Sequence, residues 1–324
     1  MKKILLALIA PLATASAMAQ SDPLWMRFPA ISPDGKTVAF SYKGDIWTVP
    51  ANGGQARQIT TNPAYDAYPV WSPDSRQIAF ASSREGSMDI YVVGRDGGTP
   101  RRVTTDSGDE YPLAWRNDST IMLKASIMPK ATSIMFANFS QVYEVSDKGG
   151  RMRLFSDIPM EDISVGNDGA LLYHDNKGYE DPFRKHHQSP ICRDIWLYKD
   201  GNYTKLTNFA GEDRTPVWGG DNTYYYLSEE DGTFNVYKRR IGETAKTQLS
   251  HYKGNPVRFL TRSTDGTLCY AYDGAIYTLK EGSPLHQYTY LYTRGNFLLS
   301  LSRGWCSRAA QAYVCGLSCR RCRS

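Results

Sequence analysis

The chain has 324 residues, of which 41% are hydrophobic and 22% charged, and a formal net charge of +5. That length suits one large all-β domain or two ordinary ones. The positive balance sits at the two ends: without Lys2, Lys3 and the six arginines after Gly282, 30 basic residues face 33 acidic ones, so a nucleic-acid or anionic-membrane function, which needs a basic face, is not expected.

At the start, Lys2 and Lys3 precede the apolar run Ile4–Ala10, and Ala17-Met18-Ala19 has the small-x-small form of a cleavage site. Residues 1–20 therefore read as a secretory signal peptide and not as a membrane span, because the apolar core is short and no second one follows. No cysteine follows the cleavage site, so no lipid anchor is expected. The mature protein is expected to be exported, periplasmic or secreted, and soluble.

A repeat then begins. The decapeptide ISPDGKTVAF at residues 31–40 returns as WSPDSRQIAF at residues 71–80. A β-branched residue followed by an aromatic one recurs at Ile46-Trp47, Ile90-Tyr91, Val142-Tyr143, Ile195-Trp196, Val236-Tyr237 and Ile276-Tyr277, at spacings of 40 to 53 residues. Such residues favour pleated, buried surfaces, and a period of that length with four short strands each is the signature of a propeller.

Every marker has the same neighbours. Upstream lie a turn such as Ser32-Pro33-Asp34-Gly35 or Ser263-Thr264-Asp265-Gly266 and a short strand such as Val38-Ala39-Phe40. Pro presets φ, Asp bonds its local backbone and Gly accepts the left-handed conformation. Downstream lie a Gly-rich turn and an alternating strand ending in Thr or Ser, such as Arg57-Gln58-Ile59-Thr60 or Thr247-Gln248-Leu249-Ser250, whose pattern suits an outer edge with one side in water. The decapeptide is thus the hairpin between the first and second strands of successive blades.

Blade 3 carries an insertion, Ile127–Phe139, in which Met128, Ile134, Met135, Phe136 and Phe139 form an adaptable docking surface or pack on a neighbouring blade or an absent domain. The blade 4 insertion holds His186-His187, near His174, Cys192 and Asp194. With no HxxxH or HxH spacing it reads as a polar surface loop, and no metal or cofactor is assigned. Asp66, Asp109 and Asp213 each stand three residues before a proline, and Asp162 holds a similar place in blade 4. They are the candidates for a partial ring of carboxylates at a channel mouth, focusing the field on cationic peptide ends. The alternative is that each caps local backbone amides. No GxSxG elbow or other nucleophile motif occurs, so no catalytic residue is assigned.

Five blades are complete, and the composition changes after Glu281-Gly282, where the sixth outer strand is due. The fold is therefore expected to be all-β: a six-bladed β-propeller over residues 21–282 whose last blade lacks its outer strand. Ser21–Phe28 is a candidate to close the seam. Residues 283–324 contain no Asp, Glu or Lys and hold four of the six cysteines. They read as an aberrant or disordered basic Cys-rich tail from a shifted frame or misassembled end, the rival being a genuine extension. The single Cys319-Arg320-Arg321-Cys322 is weak as a metal site, because an exported chain favours disulfides.

The repeated SPDG turn, the DIW/DIY strand and the Arg/Lys-x-Ile/Leu-Thr outer strand resemble the WD40-like (PD40) repeats of TolB-type propellers. KGYEDPFRKHHQSPICRDIW, residues 177–196, resembles the N-terminal six-bladed propeller of exported tricorn-like serine peptidases of the S41 family. The resemblance covers about residues 24–282. It implies a propeller that gates or binds peptide or unfolded polypeptide for proteolysis, with the catalytic Ser and His in later domains that this chain does not contain, so the chain itself is expected to cleave nothing. Its partners would be peptides and other domains or subunits of the parent peptidase. The second reading is a stand-alone TolB-like interaction propeller in the periplasm, with proteins as partners.

Overall fold

The computed structural model describes residues 25–127, 140–178 and 188–283, together with the backbone of 286–293 and 296–303. The signal peptide, the docking residues Met128, Met135, Phe136 and Phe139, and His186-His187 lie outside the described residues.

The first five blades are continuous in sequence, each a four-stranded antiparallel meander. Blade 1 is β1 (Arg27–Ile31), β2 (Thr37–Tyr42), β3 (Asp45–Pro50) and β4 (Gly54–Gln58); blade 2 is β5 (Asp66–Trp71), β6 (Gln77–Ser82), β7 (Asp89–Gly94) and β8 (Gly97–Arg102). Blade 3 is β9 (Glu110–Asn117), β10 (Thr120–Ala125), β11 (Gln141–Ser146) and β12 (Arg153–Ser156); blade 4 is β13 (Met160–Val165), β14 (Leu171–Asp175), β15 (Ile195–Lys199) and β16 (Asn202–Lys205). Blade 5 is β17 (Asp213–Gly220), β18 (Thr223–Ser228), β19 (Asn235–Arg240) and β20 (Lys246–Gln248). Blade 6 begins with β21 (Arg258–Arg262), β22 (Leu268–Tyr272) and β23 (Ala275–Leu279).

The local chemistry of the repeat is visible in its hydrogen bonds. In the first turn Asp34 Oδ1 accepts from the Lys36 amide at 3.0 Å and Ser32 Oγ from the Thr37 amide at 3.0 Å. Asp74 and Ser72 repeat both bonds at 2.9 Å in the second. In blades 1, 2, 4 and 5 the Thr or Ser two residues beyond the outer strand is a clamp. Thr60, Thr104, Thr207 and Ser250 accept the amide of Ile46, Ile90, Ile195 and Val236 at 3.0, 2.8, 3.0 and 2.8 Å. That is why a Thr or Ser closes the outer-strand motif while Ile or Val opens the marker. Thr60→Val removes the acceptor without changing the shape, leaving the buried Ile46 amide unpaired. The expected loss is about 1–3 kcal/mol, read as a lower urea midpoint at unchanged slope.

The apolar core lies between blades, one cluster at each junction. Ala39, Ile46 and Ile59 of blade 1 pack on Trp71, Ile78 and Phe80 of blade 2, and Trp71 Nε1 donates to Ala30 O at 2.9 Å. The ring closes in the same way: Cys269 and Ile276 of blade 6 pack on Met26, Val38 and Phe40 of blade 1. The Thr264 hydroxyl donates to Pro33 O at 2.7 Å, and Thr261 Oγ1 accepts from the Ile31 amide at 3.1 Å.

Two expectations about the seam are corrected. Arg27 and Phe28 belong to β1, the inner strand of blade 1, so they do not complete blade 6. Blade 6 also does not stop at three strands. β24 (His286–Thr293) pairs on β23 through Tyr277↔Gln287, and β25 (Asn296–Arg303) bridges β24 to β4 at Phe297↔Ala56. The physical reason is that ladder pairing uses backbone groups, and a run such as YTYLYT has high strand propensity whatever the surrounding composition. Part of the segment assigned to a tail outside the fold is therefore strand.

Candidate functional site

The inner strands line the central channel, and five of them share a distortion. Pairing with the second strand slips between Arg27 and Ala30, Ala67 and Val70, Glu161 and Ser164, Arg214 and Val217, and Arg258 and Thr261. At each slip one residue takes a left-handed backbone: Phe28 (φ 53°), Tyr68 (57°), Asp162 (49°), Thr215 (50°) and Phe259 (59°). None is glycine, so each conformation costs about 1–3 kcal/mol and persists only because the blades on either side enforce it. β-Bulges re-aim side chains and recur beside functional sites.

The result is a two-sided wall. Phe259 of blade 6, Phe28 of blade 1, Tyr68 of blade 2 and Tyr111 of blade 3 form one aromatic arc, with successive ring centroids 4.6, 4.0 and 5.3 Å apart. Blades 4 and 5 supply the polar arc. The Thr215 hydroxyl donates to Asp162 Oδ2 at 2.7 Å, and the Thr215 amide donates to His174 Nδ1 at 3.3 Å. His174 is buried, and its Nε2 lies 3.5 Å from Glu161 Oε2. Glu161 also stands 3.6 Å from Lys124 Nζ and accepts from Asn176 Nδ2 at 3.1 Å.

Burial alone would raise the Glu161 carboxyl, but His174, Lys124 and Arg193 hold it well below the usual carboxylate range. Burial raises the Tyr68 phenol, with Tyr65 and Asp162 adding to it and Arg27 opposing. Burial pushes Tyr111 up to about 12, with Asp109 contributing. Arg27, Arg214 and Arg258 stand one residue before the bulges of blades 1, 5 and 6. Burial and the other two arginines lower the Arg258 guanidinium.

The four predicted carboxylates are not brought into one ring. Asp66 and Asp213 open β5 and β17 two residues before the bulge and are buried, at 0% and 2% exposure. Asp66 Oδ2 accepts from Arg84 at 2.7 Å. Burial pushes Asp213 up to about 6, against the Ser228 and Thr207 hydroxyls. Asp109 lies exposed in the loop before β9, where Oδ1 accepts from the Met88 amide at 2.9 Å. Asp162 is itself the bulged residue of β13, and its side chain is 49% exposed. The residues missed were the aromatic arc and Thr215, and all but Phe259 carried a signal: Phe28, Tyr68, Tyr111 and Thr215 each precede a proline. Among the described residues, no group of three His, Cys, Asp or Glu is placed to hold a metal ion, and no helix is long and apolar enough to cross a membrane.

Comparison with known proteins bears on this arrangement. A family model described as the tricorn protease N-terminal beta propeller domain matches residues 23–284. The chain is 25% identical over 264 residues to tricorn protease homolog 1 of Streptomyces coelicolor, covering 80% of this chain and 24% of that protein. In structure it is similar to the tricorn protease, with a TM-score of 0.68 at 17% identity over 86% of this chain and 30% of that one. It is similar also to TolB from Acinetobacter baumannii, with a TM-score of 0.56 at 15% identity over 86% of this chain and 63% of that one.

Proposed function

The chain belongs to the tricorn protease N-terminal β-propeller family, and from that premise we propose that it is a non-catalytic gate, binding extended peptide in its central channel for an exported serine peptidase of the S41 type. The observation that carries the reading is the channel wall. Five equivalent positions on the inner strands hold non-glycine residues in the left-handed conformation, and strain of this kind collects at functional sites. The aromatic arc offers rigid apolar faces to side chains, and the polar arc offers hydrogen-bonding groups to a peptide backbone. In this reading the bond-breaking step falls to other domains of the parent peptidase; this chain spans about a quarter of the length of the curated relative it matches. Export places it in the periplasm or outside the cell.

The test uses the full chain and an unstructured polypeptide such as reduced, alkylated casein fragments carrying a fluorophore. Saturable binding is expected by anisotropy, with intact peptide by mass spectrometry after prolonged incubation. Tyr68→Ala together with Phe28→Ala weakens binding by about tenfold, the size expected for lost aromatic contacts. Unchanged affinity in that variant places binding outside the channel. Time-dependent cleavage that copurifies with the chain removes the non-catalytic reading.

A further inference from the structure

Blade 5 repeats the buried carboxylate of blade 2 without its cation. Asp66 opens β5 opposite Ser82, and Arg84, two residues beyond Ser82, pairs with it at 2.7 Å. Asp213 opens β17 opposite Ser228, and two residues beyond Ser228 stands Glu230. Asp213 is 2% exposed, its Oδ1 has no hydrogen-bond partner, and it makes no ion pair among the described residues. Burial pushes its carboxyl up to about 6, against the Ser228 and Thr207 hydroxyls and the charge of Lys246, so the group is ionised at neutral pH. A carboxylate withdrawn from water with no cation beside it is costly, and a buried group left so needs a reason.

Asp213 lines a cavity of about 250 Å³ at the junction of blades 4 and 5. Beside it in the lining is Tyr226, also 2% exposed, whose hydroxyl has no hydrogen-bond partner among the described residues. Two cations complete the polar wall. Lys246 is already neutralised, because its Nζ donates to Glu230 Oε2. Arg239 donates to the Glu243 and Leu206 carbonyls at 2.7 and 2.8 Å, and pairs with no carboxylate among the described residues. One cavity thus presents an anion and a cation that do not pair with each other. It shares no residue with the aromatic or the polar arc of the channel.

We propose that this cavity is a binding site for a small α-amino acid, with its ammonium group on Asp213 and its carboxylate on Arg239. A simple amine would satisfy only the first residue and a simple acid only the second; a zwitterion satisfies both. The Tyr226 hydroxyl can accept from the ammonium group or donate to the carboxylate. Hydrogen bonds to ionised partners are the strong ones, and the buried position of Asp213 keeps water from competing. The volume lies below the roughly 300–1,000 Å³ of pockets for larger ligands, which sets the ligand's size. The site needs no polypeptide in the channel and stands whether or not the channel reading does.

The experiment titrates the full chain calorimetrically at neutral pH with L-alanine, with L-alaninamide, which keeps the ammonium group alone, and with N-acetyl-L-alanine, which keeps the carboxylate alone. Alanine is expected to bind at least about tenfold more tightly than either derivative. Asp213→Asn brings alanine down to the level of the acetylated compound, and Arg239→Gln brings it down to the level of the amide. The asparagine variant removes an unpaired buried charge and is expected to fold. The three ligands decide the matter on the unaltered protein alone should the glutamine variant not fold. Absence of alanine binding overturns the site, and so does equal affinity for alanine and either derivative. A preference for alanine that survives both substitutions places binding elsewhere and overturns it as well.

Discussion

Arg84→Met destabilises the protein by about 3–5 kcal/mol, the cost of leaving one partner of a buried ion pair without the other. Asp66 is 0% exposed and the Arg84 side chain 12% exposed. Their 2.7 Å contact is the one hydrogen bond to the Asp66 carboxylate found among the described residues, where Oδ1 has no partner. The Arg84 guanidinium also lies over the Phe80 and Tyr91 rings, 5.5 and 4.8 Å from their centroids. Methionine keeps most of that apolar contact, so the loss is electrostatic. Combining Asp66→Asn with Arg84→Met removes the uncompensated charge and recovers most of the stability, because a buried pair contributes little net over neutral groups of similar shape. The check is a double-mutant cycle by urea unfolding at neutral pH. A single-variant loss under about 1 kcal/mol, the level of an exposed pair, shows that water reaches Asp66.

The fate of the predicted carboxylates shows where sequence legibility ends. The repeat was legible because its motifs lie within one blade: an Asp bonds its own turn two residues on, and a Thr returns to its own blade across fourteen residues. The channel wall was not, because side-chain direction in a strand follows strict alternation only until a bulge intervenes. Asp66 and Asp213 share a spacing to the next proline, yet the slip between them and that proline leaves them buried between blades and gives the channel to Tyr68 and Thr215. Asp162 reaches the channel because it is itself the bulged residue. Tyr111 reaches the arc differently, since blade 3 slips later, after Pro112. The final strands were illegible for another reason: β24 and β25 are held by backbone pairing, which the motif of the preceding blades does not encode.

Glu110→Gln flattens the pH dependence of stability, and the size of the effect follows from what blade 3 lacks. Glu110 opens β9 as Asp66 opens β5, pairing with Ala125 where Asp66 pairs with Ser82. Two residues beyond Ser82 stands Arg84, and two beyond Ala125 stands Ile127. Glu110 is 0% exposed, and neither carboxyl oxygen has a hydrogen-bond partner among the described residues. Burial pushes its pKa up to about 7 from 4.5, and Asp89, Asp106 and Asp109 push the same way against the nearby Thr104 hydroxyl. Below pH 4.5 the group is protonated folded and unfolded. As pH rises from there to about 7, the unfolded chain loses the proton that the folded chain keeps, so stability falls across that window by about 3 kcal/mol. Asp213, pushed from 3.8 to about 6, acts with the same sign over a lower range. Glutamine at position 110 is never charged. The variant is therefore expected to match the unaltered protein near pH 4.5, to exceed it by about 2–3 kcal/mol above pH 7, and to retain the fall below pH 6 that belongs to Asp213. Urea midpoints from pH 4 to pH 8 separate the two groups. Parallel curves for the variant and the unaltered protein mean that a cation reaches Glu110 in solution and the carboxylate is charged throughout.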